Sequence, residues 1–168
     1  WTVTQDILVD SKETTQSFKP MSAEELGQHL QTELKASGVQ AEGIIHSTEH
    51  YVICSTAGKP YAIWAGQMFE RLFKAFRTYW KSRGFEMPEP ASPMPVLILS
   101  NRTEFAKLAQ FDKTPSSAQG NGYYLITANR IVLFDLTNGA NQRPAKTVSD
   151  IQKRVQKIPG NVGVVVHE

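Results

Sequence analysis

The sequence predicts an α+β fold, in which a mixed sheet of about four or five strands carries one long helix on one face. Three observations lead to this prediction. Strand-like and helical segments alternate along the 168 residues without an internal repeat. Residues 60–84 keep a helical spacing of apolar side chains over more than about 30 Å, enough to cross a whole sheet. A hydrophobic content of 40% and a charged content of 20% are typical of a globular domain.

Residues 1–42 are expected to form an N-terminal extension with one helix. A short strand is predicted at 2–9 from its alternating β-branched residues. Ser22 and Glu25 have the spacing of a capping box, which starts a helix. Leucines then recur every four residues on one helix face, and Gly38 provides a stop signal.

Residues 43–168 are expected to form the α+β unit itself. Its first element is a strand at 43–56, because this segment is rich in β-branched and aromatic residues. Pro60 opens the long helix, where proline is tolerated in the first turn, and Gly84 ends it. The proline-rich segment 87–95 is a stiff connector.

The remaining elements follow from shorter patterns. A continuous apolar run at 96–99 is typical of a central strand with both faces buried. Asn101 and Glu104 have the spacing of a helix cap. In order, the elements are a strand at 96–99, a short helix at 102–110, a hairpin of strands at 123–127 and 130–136, and a charged helix that starts at Thr147.

Composition narrows the classes of partner. Eighteen Lys and Arg against sixteen Asp and Glu leave a net charge of +2, which gives no reason to expect nucleic acid. No stretch reaches the roughly 20 apolar residues of a membrane span, so none is expected. The single cysteine, Cys54, excludes an intramolecular disulfide, and its apolar neighbours favour a buried structural thiol.

The last six residues are an apolar run that leads into His167 and Glu168. Many zinc metallopeptidases carry His-Glu-x-x-His on a helix, where the histidines bind zinc and the Glu is the general base. The chain supplies the first two residues of this signature. A plain terminal strand is the alternative, because β-branched residues favour strands.

Several segments together resemble the gluzincin class of zinc metallopeptidases, especially an uncharacterised bacterial branch of that class. The resemblance covers roughly residues 49–168 and implies a zincin-like N-terminal subdomain. It rests on segments that match in the right order: 51–56 as a first strand, 62–84 as an aromatic long helix, 95–105 as a second strand and short helix, 122–131 as a hairpin, and 164–168 as the start of the zinc helix.

The resemblance implies roles for the last two residues. His167 would be the first zinc ligand, and Glu168 would be the general base that activates zinc-bound water for attack on a peptide carbonyl. A catalytic zinc site needs three protein ligands. Zinc is therefore expected to bind only if residues after Glu168 complete the site, and the chain alone is expected to be inert. Because the chain begins at Trp1, we also expect an upstream segment to have been removed, which is compatible with export.

The predicted hairpin is the candidate substrate edge. In gluzincin-like folds a strand beside the zinc helix borders the cleft, and a peptide or protein substrate pairs with its edge. Tyr123, Tyr124 and Arg130 are the candidates to contact the substrate, and strand alternation sends the two tyrosine side chains to opposite faces. The alternative function is a non-catalytic binding or scaffold domain with a degenerate peptidase-like fold.

Two other groups are expected to have no chemical role. His46 and His50 are four residues apart, but an extended strand would separate them by about 13 Å. A basic side of the long helix is expected to be a solvated face, with a phosphate-binding stripe as the alternative. It consists of Arg71, Lys74, Arg77 or Thr78, and Lys81.

Overall fold

The computed structural model of the chain describes residues 19–135, 137 and 145–157. The predicted strand at 2–9 lies outside the described residues. The elements in chain order are α1 (Ala23–Ala36), β1 (Ile44–Ser47), β2 (Tyr51–Ser55), α2 (Lys59–Lys81), β3 (Met94–Leu99), α3 (Arg102–Phe111), β4 (Gly122–Leu125), β5 (Arg130–Phe134) and α4 (Val148–Gln156).

The five strands form one mixed sheet in the order β1-β2-β3-β5-β4. The three central strands are parallel, and Val96 of β3 lies opposite Ile53 of β2 and Ile131 of β5. The two outer strands, β1 and β4, run antiparallel to their neighbours. The predicted α+β fold with a mixed sheet of this size is therefore confirmed.

Helices cover both faces of the sheet. One core joins the sheet to α1 and α3, and the other joins it to α2 and α4. The strand β3 contributes side chains to both cores, so residues 96–99 are completely buried on both faces of the sheet. Cys54 lies in the first core, where burial raises the pKa of its thiol to about 12. The long helix packs on one face as predicted, and the division of the chain at residue 43 stays a prediction.

Three of the four predicted helix starts are confirmed by a side-chain cap. Ser22 and Glu25 form the capping box, with the Ser22 amide donating to Glu25 Oε2 at 2.8 Å and the Glu25 amide to Ser22 Oγ at 3.2 Å. The Asn101 side chain accepts from the amide of residue 104 at 3.0 Å. Thr147 accepts from the amide of residue 150 at 3.1 Å. Each cap satisfies an amide that the helix itself leaves without a partner.

The predicted single strand at 43–56 is wrong, because the chain reverses within it to form the β1–β2 hairpin. The Thr48 amide donates to the Tyr51 carbonyl at 2.8 Å, which closes the turn. The amide of His50 is satisfied from outside the turn, by Glu70 Oε1 at 2.8 Å. The partner that stabilises this turn is thus a side chain of α2.

The long helix extends beyond the sheet that it covers. Its 23 residues span about 35 Å at 1.5 Å per residue, whereas β3, the longest described strand with 6 residues, spans about 20 Å at 3.3 Å per residue. The buried residues of α2 stop at Phe69, so the half from Glu70 onward lies past the main core. No helix in the described part of the chain is both long and apolar enough to cross a membrane.

A glycine brings α2 close to the β1–β2 hairpin. A Cβ atom at Gly66 would lie 2.9 Å from Thr48 Cγ2 and 3.1 Å from His46 Cδ2. Because only glycine fits this approach, the turn at 48–50 lies directly beside the middle of α2. That placement forms one wall of the cleft described below.

Candidate functional site

The predicted catalytic pair, His167 and Glu168, lies outside the described residues. The three predicted substrate-edge residues are all described, and the structure separates them. Tyr123 and Arg130 are buried, whereas Tyr124 is 38% exposed. Tyr123 and Arg130 lie on one face of the sheet and Tyr124 lies on the other, as strand alternation requires.

The buried pair belongs to a charge network between the hairpin and two helices. Arg130 is 1% exposed and forms ion pairs with Asp112 at the end of α3 and, at 2.7 Å, with Glu33 Oε1 of α1. The Tyr123 hydroxyl donates to Asp112 Oδ2 at 2.7 Å. Burial and this hydrogen bond raise the pKa of the Tyr123 phenol far above its usual range. The Arg130 and Tyr123 side chains therefore fasten the β4–β5 hairpin to α1 and α3.

Tyr124 lies on the other face, at the outer edge of the sheet. It pairs across the hairpin with Ile131, a member of the core that contains α2 and α4. Its hydroxyl donates to Asn129 Oδ1, at the residue that turns the hairpin in the left-handed conformation with φ of 48°. In the described part of the chain no strand pairs with the outer edge of β4. The role of this edge in binding substrate stays a prediction.

A cleft of about 750 Å³ lies beside the projecting half of α2. Its walls are α2, the turn between β1 and β2, and the proline-rich connector after α2. The side chains that matter for its chemistry come from all three walls, and they are His50, Glu70, Phe73, Arg77 and Glu89.

His50 is held at this cleft by one carboxylate. Glu70 accepts from the His50 amide through Oε1 at 2.8 Å, and its Oε2 lies 2.7 Å from the ring Nδ1. The ring also stacks on Phe73, with 3.9 Å between centroids. These contacts fix both the position and the orientation of the imidazole.

The ionisation state of Glu70 determines which ring nitrogen carries the proton. Burial opposes ionisation, but hydrogen bonds from Thr48 and from the amide and ring of His50 outweigh it, so the pKa of Glu70 is lowered. A carboxylate accepts only, so Nδ1 must carry the proton that it shares with Glu70. In the neutral ring Nε2 then keeps a lone pair, and it lies 3.7 Å from Glu89 Oε2.

Such a histidine has the geometry of a proton acceptor or a metal ligand whose second nitrogen is held by a carboxylate. Among the described residues, Glu49, His50 and Glu70 offer ligand atoms that all lie within 4.8 Å of one another. The hydrogen bonds between His50 and Glu70 already account for this closeness. Glu89 is engaged as well, in an ion pair with Arg77 Nη1 at 2.7 Å. We therefore assign no metal to this group, whose contacts fasten the turn to α2.

The predicted basic side of α2 lines the same cleft. Arg71, Lys74 and Lys81 are exposed, as expected for a solvated face. Arg77 is partly buried, because its Nη2 donates to the Met87 carbonyl at 3.0 Å and its guanidinium lies 5.5 Å from the Phe73 ring centroid. Carboxylates of the connector share the cleft with these cations and offset their charge, so the geometry gives no support to the alternative of a phosphate-binding stripe.

A second polar group joins the carboxyl ends of two parallel strands, the edge where open α/β sheets bind ligands. Glu104 Oε2 accepts from Thr56 Oγ1 at 2.7 Å and from Ser100 Oγ at 2.9 Å. The Ser100 amide also donates to Thr56 Oγ1 at 2.8 Å. Because these groups satisfy one another, they hold β2 to β3 and the start of α3.

Sequence reasoning missed the pairing of His50 with Glu70. The two residues are 20 positions apart, and no helical or strand spacing relates residues at that distance. No protein-family model matches the chain, and neither the curated proteins nor the solved structures contain a significant match.

Proposed function

We propose that this chain is the N-terminal part of a zinc-dependent metallopeptidase domain, in which His167 is the first zinc ligand and Glu168 the general base. One observation carries the proposal: the described segments that resemble gluzincin peptidases form the elements that the resemblance implies, in the same order. These are β2 for 51–56, α2 for 62–84, β3 and the start of α3 for 95–105, and the β4–β5 hairpin for 122–131.

The edge strand gives the proposal a substrate-binding surface. An extended peptide can pair with a free strand edge through main-chain hydrogen bonds, while its side chains contact residues on either face. β4 is the antiparallel edge strand of the sheet, on the side away from β1. Tyr124, on the face that carries α2 and α4, is the predicted edge residue with an exposed ring.

The proposed reaction is hydrolysis of a peptide bond. Zinc, when bound, supplies a Lewis acid that polarises a water molecule. Glu168 would take a proton from the water molecule that attacks the carbonyl carbon, and would give that proton to the leaving nitrogen as the C–N bond breaks. His167 offers an imidazole, a ligand type that zinc prefers. One histidine is too few for a site, so in this proposal the other ligands follow Glu168.

The test uses the natural full-length protein, in the variants His167→Ala and Glu168→Gln. We expect His167→Ala to lose both zinc and peptidase activity. Glu168→Gln is expected to keep its zinc while activity falls by about 10²–10⁴-fold, because only proton transfer is removed. His29→Ala is the matched control, since this histidine is an exposed residue of α1. Unchanged activity in Glu168→Gln, or full zinc content in His167→Ala, would refute the proposal.

A natural protein that binds no zinc and cleaves no peptide would also refute it. That result would favour the alternative, a binding or scaffold domain that keeps a degenerate peptidase-like fold.

A further inference from the structure

The projecting end of α2 has an unusual composition. Residues 71–85 contain five Lys or Arg and five aromatic residues, and no Asp or Glu. The whole chain has a net charge of only +2, and Glu70, Glu86 and Glu89 beside this segment offset part of its positive charge. The cations are Arg71, Lys74, Arg77, Lys81 and Arg83, and the aromatic residues are Phe73, Phe76, Tyr79, Trp80 and Phe85.

Four of these aromatic residues form one surface, which we call the aromatic tip: Phe76, Tyr79, Trp80 and Phe85. The Trp80 ring meets the other three edge-on, at centroid distances of 6.1, 5.5 and 5.5 Å. Phe76 is 55% exposed, Tyr79 50% and Phe85 60%. The tip is therefore a packed cluster of rings that faces outward.

The aromatic tip continues the buried face of α2. At 100° per residue, Phe76 and Trp80 fall on the helical stripe that begins with Ala65 and Phe69 in the core. Leu72 lies between them, partly buried against that core. The stripe is buried where α2 packs on β1 and β2 and is exposed toward the end of the helix. An apolar face of this kind on a projecting end is typical of an interaction surface.

Charge separates the two flanks of the projecting end. The cleft flank carries Glu70, Glu86 and Glu89 together with cations, and Glu89 neutralises Arg77. The tip flank carries Arg83, whose guanidinium lies 3.5 Å from the Tyr79 ring centroid. Phe76, Tyr79 and Trp80 are not among the residues that line the cleft, whereas Phe85 and Lys81 lie at its border with the tip. The tip is thus an exposed aromatic surface with Arg83 among its rings and Lys81 on the side of the cleft.

We propose that the aromatic tip binds the surface of an anionic lipid membrane. Trp, Tyr and Phe are the residues that lie at the level of lipid headgroups, and Lys and Arg beside them are attracted to anionic lipids. A second copy of the chain fits less well, because it would bring cations against cations. An acidic peptide fits less well, because the neighbouring cleft contains Glu70, Glu86 and Glu89, which would repel it. The proposal rests on observations independent of the proposed peptidase function.

Such binding is adsorption and not membrane spanning. The apolar side of an interfacial helix enters about 5–10 Å into the headgroup region, which is the depth of a Phe or Trp side chain. In the adsorbed state, Lys81 and Arg83 extend toward the headgroups along the same end of the helix.

The experiment is vesicle co-sedimentation of the chain with two kinds of vesicle, pure phosphatidylcholine and a mixture with phosphatidylglycerol. We expect binding to the mixed vesicles only, and release of the protein in high salt. The double variant Phe76→Ser, Trp80→Ser is expected to bind at least about tenfold more weakly. Lys81→Gln with Arg83→Gln is expected to weaken binding by about tenfold or more, since each cation near the surface contributes about fivefold. Phe111→Ser is the matched control, because Phe111 is a 44% exposed phenylalanine outside the tip.

Circular dichroism and urea midpoints establish that each variant is folded. Equal binding to both vesicle types, no binding to either, or wild-type binding by Phe76→Ser, Trp80→Ser would overturn the proposal. The proposal would also be overturned if sedimentation velocity showed a dimer of the wild type and a monomer of this variant. That result would assign the tip to contact with a second copy of the chain. Binding to polyglutamate without binding to vesicles would assign it to an acidic protein. If the chain bound vesicles only after removal of residues 158–168, the aromatic tip would be assigned as the binding surface of that segment.

Discussion

Replacement of Arg130 by alanine tests the charge network that fastens the β4–β5 hairpin. The side chains of Arg130 and Asp112 are each only 2% exposed, so neither charge can be solvated if its partner is removed. In Arg130→Ala the Asp112 carboxylate keeps the Tyr123 hydroxyl and loses its cation. Breaking a buried ion pair from one side costs about 3–5 kcal/mol, because the remaining charge stays buried and unpaired.

The assay is urea unfolding at neutral pH. With an m value near 2 kcal/mol/M, the midpoint of Arg130→Ala is expected to fall by about 1.5–2.5 M. Arg71→Ala is the matched control, because Arg71 is an exposed arginine of α2 and its loss should change stability by less than about 0.5 kcal/mol. The double variant Arg130→Ala, Asp112→Ala should be more stable than the sum of the two single losses predicts. A loss of under about 1 kcal/mol in Arg130→Ala would refute the reasoning, because a buried pair cannot be broken at so little cost.

Two further predictions concern the hairpin β1–β2 and its neighbours. Gly43→Ala is expected to lose about 1–3 kcal/mol in urea unfolding, because the new Cβ would overlap Cys54 Sγ and lie 2.9 Å from Leu34 Cδ2. Adding Cys54→Ala should restore part of the loss, and a fully stable single variant would contradict the packing. Glu70→Gln tests the lowered pKa of Glu70. A carboxylate whose pKa is lowered by folding stabilises the protein at a pH above its ordinary pKa. This stabilisation is lost as the pH falls through the lowered pKa of the folded state. The stability advantage of the wild type over Glu70→Gln should therefore be largest at neutral pH and shrink in acid, and a difference that does not change with pH would contradict it.

Local patterns predicted the parts of the fold that depend on neighbours in sequence. The caps at Ser22, Asn101 and Thr147 each join residues three apart, and all three are present. The long helix occupies Lys59–Lys81, one residue before its predicted start at Pro60 and three residues short of its predicted end at Gly84. The run at 96–99 forms a fully buried central strand because it is apolar on both faces.

Tertiary contacts decided what the sequence left open. The turn between β1 and β2 is stabilised by Glu70, a residue of α2. Strand alternation predicted that Tyr123 and Tyr124 face opposite ways, but the burial of Tyr123 depends on Asp112 of another element. A basic residue on a strand suggests exposure, and Arg130 is buried because Glu33 and Asp112 converge on it from two helices.

The candidate sites also differ in whether a local sequence motif or a tertiary contact defines them. The proposed zinc pair is a short motif that sequence alone can suggest, and it lies outside the described residues. The His50–Glu70 pair and the aromatic tip depend on where α2 passes the sheet. The sequence contains the aromatic residues of the tip, but helical spacing alone suggested that they would be buried. They are exposed because α2 is longer than the strands on which it packs.

The most direct test of the proposed zinc site is the zinc content of the natural full-length protein, measured by elemental analysis together with its intact mass. We expect one tightly bound zinc per chain in the wild type, none in His167→Ala, and wild-type content in His29→Ala. A wild type without zinc, or a His167→Ala variant that keeps its zinc, would contradict the proposed site.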